Sequence, residues 1–199
     1  MIVLGVTGGI GSGKSEICKI FGILGAPVYN SDERARSLLD NNENLRKNII
    51  LAFGDNAYEE NKYNRKYIAS LVFNSKEKLQ KINKIVHPAV QKDFQNWLTR
   101  QHCAYAVIET AILQESGFAR LTDFILFADA PVELRITRVC ERDGLSPAEV
   151  KKRINNQMNF GEIRSKANWY LMNDNQTILL PKILEIHNFL QNESHLVTK

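Results

Sequence analysis

Apolar positions along the chain fall into short continuous runs alternating with stretches of helical period. The run Ile2-Val3-Leu4-Gly5-Val6 is short and rich in β-branched residues, as a buried parallel strand should be. Ile17, Ile20, Phe21 and Leu24 then recur at i, i+3, i+4 and i+7, which predicts a helix from Lys14 with stop signals at Gly25 and Pro27. A second strand is expected over 27–29, ending at Asn30-Ser31-Asp32. From 32 to about 96 the pattern is mostly helical and polar, broken at 41–42, 54–55 and 61–64, with no convincing strand. Tyr63, Tyr67, Phe73 and Phe94 are its expected core. Strand signals return over 104–109 and 124–128. A helix follows, with Pro131 at its first position and Asp143-Gly144 at its end. Ser146-Pro147-Ala148-Glu149 is a capping box that opens another helix, expected to run through Met158. A strand near 169–172 and an amphipathic helix over about 180–190 complete the reading. Strands alternating with helices predict an α/β fold, a parallel sheet covered on both faces. Ligands then bind at the carboxyl ends of the strands.

The strongest chemical signal sits directly after the first strand. Gly8-Gly9-Ile10-Gly11-Ser12-Gly13-Lys14-Ser15 is a full match to G-x-x-x-x-G-K-[ST]. Glycines let the backbone turn tightly round a phosphate, and the following helix presents its positive N-terminal end to the same anion. Lys14 can reach the β- and γ-phosphates, and the Ser15 hydroxyl can ligate the magnesium that bridges them. The motif predicts a nucleoside triphosphate ligand.

Size and composition narrow the rest. A chain of 199 residues fits one α/β domain with room for a small inserted subdomain. Its net charge of +4 is too mild to argue for nucleic acid, and a polyphosphate ligand accounts for it equally well. Cys18, Cys103 and Cys140 are widely spaced and lack a C-x-x-C arrangement, which fits reduced thiols in a cytoplasmic protein rather than a metal or disulfide framework. The opening apolar run is only five residues long, with no basic segment before it. It does not read as a signal peptide, and no later stretch has the length of a membrane span.

Several side chains can carry phosphoryl chemistry. Asp32, at the end of the second strand, can accept the proton of a hydroxyl that attacks the γ-phosphate; it would also serve as a helix N-cap. Arg135, Arg138 and Arg142 share one helix face at i, i+3 and i+7, with Arg153, Arg164 and Lys166 in the polar segment that follows. Such a set, brought in by a lid, can hold the charge that spreads over the transferring group; Arg138 and Arg142 are the two favoured for function. Glu109 closes the apolar run 106–108 and Asp129 nearly closes another, so either can hold the magnesium's water shell. His87-Pro88 reads as the end of a long helix, where a histidine is more often a cap or packing residue than a base.

In their order along the chain these pieces resemble the dephospho-coenzyme A kinase family. Residues 6–15 are similar to that family's opening almost letter for letter. Gly25-Ala26-Pro27-Val28 leads into a segment resembling its D-A-D-x-x-A-R motif. Phe53-Gly54, Asn64-Arg65, Val72-Phe73 and His87-Pro88 resemble the landmarks of its acceptor-binding region. Arg138, Arg142-Asp143 and 153–157 look like its lid, and Lys166-Ala167 with Asn173 like its closing strand. The resemblance implies a P-loop, nucleotide-kinase-like fold: a five-stranded parallel sheet between helices (about 1–32, 104–140 and 167–199), a helical acceptor-binding insertion (33–98) and a lid (141–166). It implies transfer of the ATP γ-phosphoryl, with magnesium, to the ribose 3′-hydroxyl of dephospho-coenzyme A, in the cytoplasm, by a monomer or small homo-oligomer. Asp32, Lys14 and Arg142 would be catalytic. Gly9, Gly11, Ser12, Gly13, Lys14, Ser15, Glu16 and Arg138 would bind ATP, and Ser15 would meet the metal. Arg36, Arg65, His87 and Glu109 would lie on the substrate side.

Three positions depart from the family pattern. Asn30 replaces the first acid of D-A-D, Ala111 stands where proline precedes paired apolar residues, and Glu16 follows Ser15 where threonine is usual. A kinase of another small acceptor, a nucleoside monophosphate or a sugar acid, would share Lys14, Ser15 and the lid arginines. A regulatory GTPase needs N-K-x-D and D-x-x-G; neither occurs, and Asn61-Lys62-Tyr63-Asn64 lacks the acid. A nucleic-acid-bound ATPase would need a basic stripe interleaved with aromatics.

Overall fold

A computed structural model of the chain describes residues 1–73, 75–157 and 160–197. Two compact units emerge, one formed by residues 1–29 with 101 onward, the other by 30–100.

The first unit is built on β1 (Ile2–Gly8), α1 (Lys14–Ile23) and β2 (Val28–Asn30). It resumes, after the second unit's elements, with strands at Tyr105–Glu109, Phe124–Asp129 and Trp169–Met172 and helices at Val132–Asp143, Pro147–Asn155, Gly161–Ser165 and Leu180–Val197. The second unit holds α2 (Ser31–Asn41), α3 (Glu43–Phe53), β3 (Tyr58–Glu59), β4 (Lys62–Tyr63), α4 (Arg65–Val72) and α5 (Lys76–Leu98). Continuing in chain order, the later strands of the first unit are β5, β6 and β7, and its later helices α6, α7, α8 and α9.

The sheet order is β2-β5-β1-β6-β7, so the first strand lies at the centre. Ile2 pairs with Tyr105 on one side, and Leu4 with Phe124 on the other, both in parallel register. Every residue of β1 is buried, which is why its run from Ile2 to Val6 is continuously apolar rather than alternating. On one face Leu4, Val6, Val107 and Leu126 pack with Ile17 and Phe21 of α1 and Ile183, Ile186 and Leu190 of α9. On the other face Gly5 lies against Leu113 and Thr122. The α/β parallel sheet expected from the sequence is therefore the observed one, and its central strand β1 leads into the glycine-rich turn.

In the helical unit, Leu45, Ile49, Ala57, Tyr58, Ile68 and Ile82 form the core. A guanidinium fork from Arg34 to Asp93, at 2.8 and 2.7 Å, ties α2 to α5. Five expectations need correction, the last two of them in the first unit. The unit does contain strands: β3 and β4 form a minimal hairpin whose turn puts Glu60 and Asn61 at φ 47° and 66°. Two left-handed residues are what a tight hairpin demands, but glutamate is not a residue that announces one. His87-Pro88 does not end a helix, because α5 continues through Pro88 to Leu98. Proline inside a helix costs about 3 kcal/mol; here it is offset by burial of Ile82, Val90 and Phe94 on both sides of it. Phe73 is 68% exposed and belongs to no core, whereas Phe94 is buried as expected. Pro131 is the N-cap of α6, one position before the helix proper. The capping box at Ser146 and Glu149 is present, but α7 ends at Asn155, and Met158 lies outside the described residues.

Candidate active site

The glycine-rich turn runs from the carboxyl end of β1 into α1, as the motif requires. Gly13 takes φ 87°, a left-handed conformation that opens the helix at Lys14. A methyl at Gly13 would also lie 2.0 Å from Nδ2 of Asn173. That amide donates to the carbonyl of Ser12 at 3.1 Å, so the end of β7 is pinned to the loop at the point where α1 begins. Lys14 reaches back across the loop, its Nζ donating to the carbonyls of Gly8 and Gly9 at 2.9 and 3.0 Å. The Ser15 hydroxyl donates to Oε1 of Glu109 at 2.5 Å. Glu109 ends β5, the neighbour of β1, and is buried. Ser12 is also fully buried, and its hydroxyl has no hydrogen-bond partner among the described residues.

These charges are felt beneath the loop. Burial, then the negative charge of Glu109, push the Cys18 thiol well above its ordinary range, while Lys14 pulls it down. The donor set fits a hard divalent cation beside a polyphosphate. Hydroxyl and carboxylate oxygens stand together, an ammonium spans the loop, and a helix N-terminus faces the same place.

The three arginines of α6 meet different fates. Arg135 is buried against the loop: Nε donates to the Ile10 carbonyl at 2.8 Å and its guanidinium covers Gly9, where a methyl would come within 2.1 Å. Burial pulls its pKa below the usual arginine range, and Asp129 pushes it back up. Arg138 donates to the Gly11 carbonyl at 3.4 Å and to the side chains of Asn173 and Asn175 at 3.1 and 2.5 Å. Arg142, its side chain 61% exposed, forks the carboxylate of its neighbour Asp143. Among the remaining cations, Arg153 approaches Asp143, Arg164 stacks over Tyr170 beside Asp129, and Lys166 pairs with Glu162.

The dephospho-CoA kinase family model matches residues 2–178. The chain belongs to the dephospho-CoA kinase family. Family membership makes it an ATP-dependent kinase. A dephospho-CoA kinase of Bacteroides fragilis is 36% identical over 195 residues, covering 98% of this chain and 95% of that protein. One from Porphyromonas gingivalis is 36% identical over 94% of this chain and 93% of its own. A crystal structure from Thermus thermophilus superposes with a TM-score of 0.77 at 32% identity, covering 96% of this chain and 97% of the other. A shikimate kinase from Acinetobacter baumannii (TM-score 0.56, 15% identity) shares the fold, covering 97% of this chain and 94% of its own.

Within this family member, the first unit gathers Gly9, Gly11, Ser12, Gly13, Lys14, Ser15, Glu109 and Arg138 about the loop. Glu16 faces outward and pairs with Lys19 at 2.7 Å, so its side chain stands apart from the loop. The second unit carries Asp32, Arg36, Arg65 and His87. Asp32 and Arg36 lie one turn apart on α2 and are exposed, Arg65 opens α4, and His87 sits midway along α5. The N-cap of α2 is Asn30, whose side chain accepts from the backbone of Asp32 and Glu33. That disposes of the reading of Asp32 as the cap. It also gives Asn30, the departure from D-A-D, a structural duty that its amide oxygen meets. A groove of about 780 Å³ between α3 and α5, lined by Leu45, Ile85, Lys84 and Lys92 among others, includes none of the four. Sequence reasoning passed over Arg135, Gln157 and Asn173 as loop-holding residues. Asn173 and Gln157 were visible only as family landmarks, with no role attached.

Proposed function

We propose that this protein transfers the γ-phosphoryl group of ATP to the ribose 3′-hydroxyl of dephospho-coenzyme A, in the cytoplasm, giving coenzyme A. The observation that carries the reading is the loop itself: Lys14 spans its carbonyls while the Ser15 hydroxyl meets Glu109 at 2.5 Å. Phosphoryl transfer needs little covalent help from a protein, so positioning and charge compensation do most of the catalysis. The amides of 9–15 and the N-terminus of α1 bind the phosphate oxygens. Lys14 exchanges its carbonyl partners for β- and γ-phosphate oxygens. Ser15 and Glu109 would hold magnesium, which when bound neutralises charge developing between the β- and γ-phosphates.

Arg138 supports the nucleotide from the far side of the loop. Arg142 takes a transferring oxygen in place of the Asp143 carboxylate, since both are planar, bidentate anionic partners. Asp32 accepts the acceptor's proton: Asn30 performs the capping, and the Asp32 carboxylate makes no hydrogen bond or ion pair among the described residues. Arg36, Arg65 and His87 contact the acceptor, and the segment 141–166 serves as the lid.

The test is direct. Incubation with magnesium-ATP and dephospho-coenzyme A should yield a product heavier by one phosphate, while nucleoside monophosphates and shikimate should give none. Turnover of one of those acceptors in place of dephospho-coenzyme A would defeat the assignment.

A further inference from the structure

The outer turn of the phosphate loop is gripped at a single residue from two directions. The Ile10 amide donates to Oε1 of Gln157 at 2.9 Å, and the Ile10 carbonyl accepts from Nε of Arg135 at 2.8 Å. Arg135 closes the triangle by donating to the same Gln157 oxygen at 3.2 Å. Two donors converging on one oxygen leave the Gln157 amide a single orientation. The Ile10 side chain completes the grip, packing with Ile136 and Val139 of α6 and Val150 and Ile154 of α7. Both peptide groups flanking Ile10 are therefore fixed from α6 and from the residue two positions beyond the end of α7.

None of the chemistry above uses Gln157 or Arg135. Yet a phosphate cradle works only while its peptide planes point their N–H groups inward. Gly9 and Gly11, on either side of Ile10, are the residues least able to hold those planes unaided. We propose that Gln157, acting through Ile10 and Arg135, is a positioning residue that keeps residues 9–11 in their triphosphate-binding shape. The ATP affinity of the loop is then set in part from the end of α7. This inference rests on the ATP-binding reading of the loop.

Calorimetric titration of magnesium-ATP without acceptor tests it, alongside the KM for each substrate and the unliganded Tm. Gln157→Leu keeps the volume but strands the Ile10 amide and one arm of Arg135. It should weaken ATP binding roughly tenfold and raise the KM for ATP alike, leaving the acceptor's KM unchanged. Gln157→Glu restores the oxygen, its charge neutralised by Arg135, and should bind ATP within about threefold of the parent. Gln157→Ala, at a partly exposed position, gives the same reading should the leucine variant be insoluble. A folded leucine or alanine variant with parental ATP affinity overturns the inference. So does a fall in Tm with both KM values rising together and no rescue by glutamate, the mark of a merely structural tie. If the parent protein itself fails to bind ATP, the reading of the loop falls and this inference with it. Parental binding with an indifferent variant sinks the inference alone.

Discussion

Gly13→Ala probes the junction between the loop, α1 and β7, and its cost can be worked out in parts. Gly13 sits at φ 87°, where an L-residue pays about 1–2 kcal/mol. The new methyl would lie 2.0 Å from Nδ2 of Asn173. That amide cannot swing away freely, because it donates to the Ser12 carbonyl and its oxygen accepts from Arg138, both at 3.1 Å. Losing one such bond costs about 0.5–1.5 kcal/mol. The stiffer unfolded chain returns about 0.4–1 kcal/mol. The balance is a loss of about 2 kcal/mol, which for a chain of 199 residues lowers Tm by about 4–8 °C. Thermal unfolding followed by fluorescence or circular dichroism measures it. Asn173→Ala isolates the steric part: with that amide gone the methyl has room, so the double variant should be more stable than the sum of the two losses, by about 1 kcal/mol. A Tm within 2 °C of the parent for Gly13→Ala, or strict additivity in the cycle, would refute the reasoning.

Three further outcomes are expected. Asp32→Asn should leave ATP binding nearly intact while slowing turnover about 100-fold or more; collapse of ATP binding instead would make Asp32 a structural residue. Glu109→Gln keeps an acceptor for the Ser15 hydroxyl but removes the charge. It should therefore raise the magnesium concentration needed for half-maximal rate, and an unchanged magnesium curve would separate Glu109 from the metal. Burial pushes the Tyr58 hydroxyl up to about 12 from an ordinary 10. Above pH 10 the unfolded chain loses that proton first, so the stability due to Tyr58 is complete below pH 10 and fades towards pH 12. Tyr58→Phe should flatten alkaline unfolding in that window, while losing at all pH values the bond to the Leu39 carbonyl; an unaltered alkaline limb would show another group to be responsible.

The fold was legible wherever one local pattern dominated. The buried strand β1 was legible from its unbroken apolar run over 2–6, because its whole length is covered, and the glycine motif fixes where α1 starts. Legibility failed where tertiary contacts overrode local preference. Pro88 looks like a helix end, yet the apolar face of α5 continues on both sides of it and packing carries the helix through. Phe73 looks like core because it is aromatic, but it caps the end of α4, where the helix has already turned it outward. The Glu60-Asn61 turn has no glycine to mark it, and its hairpin is only two residues deep.

The site shows the same limit more sharply in the arginines of α6. Spacing at i, i+3 and i+7 places Arg135, Arg138 and Arg142 on one face, and nothing in that period ranks them. Depth does. The N-terminal turn of α6 abuts the phosphate loop, so Arg135 is buried on Gly9 and spends its donors on Ile10 and Gln157. One turn on, Arg138 still reaches the Gly11 carbonyl but shares itself with Asn173 and Asn175. A further turn on, Arg142 has left the loop and pairs with Asp143 in solvent. An exposed pair of this kind is worth little, so Arg142 could leave Asp143 for a phosphate at small cost, whereas moving Arg135 would strand the part-buried Ile10 carbonyl. The arginine most deeply placed is thus the one least free to join a reaction. Arg142, the one that looks most like a surface residue, is held by an exposed pair, and that is why the proposed part of meeting a transferring oxygen falls to it.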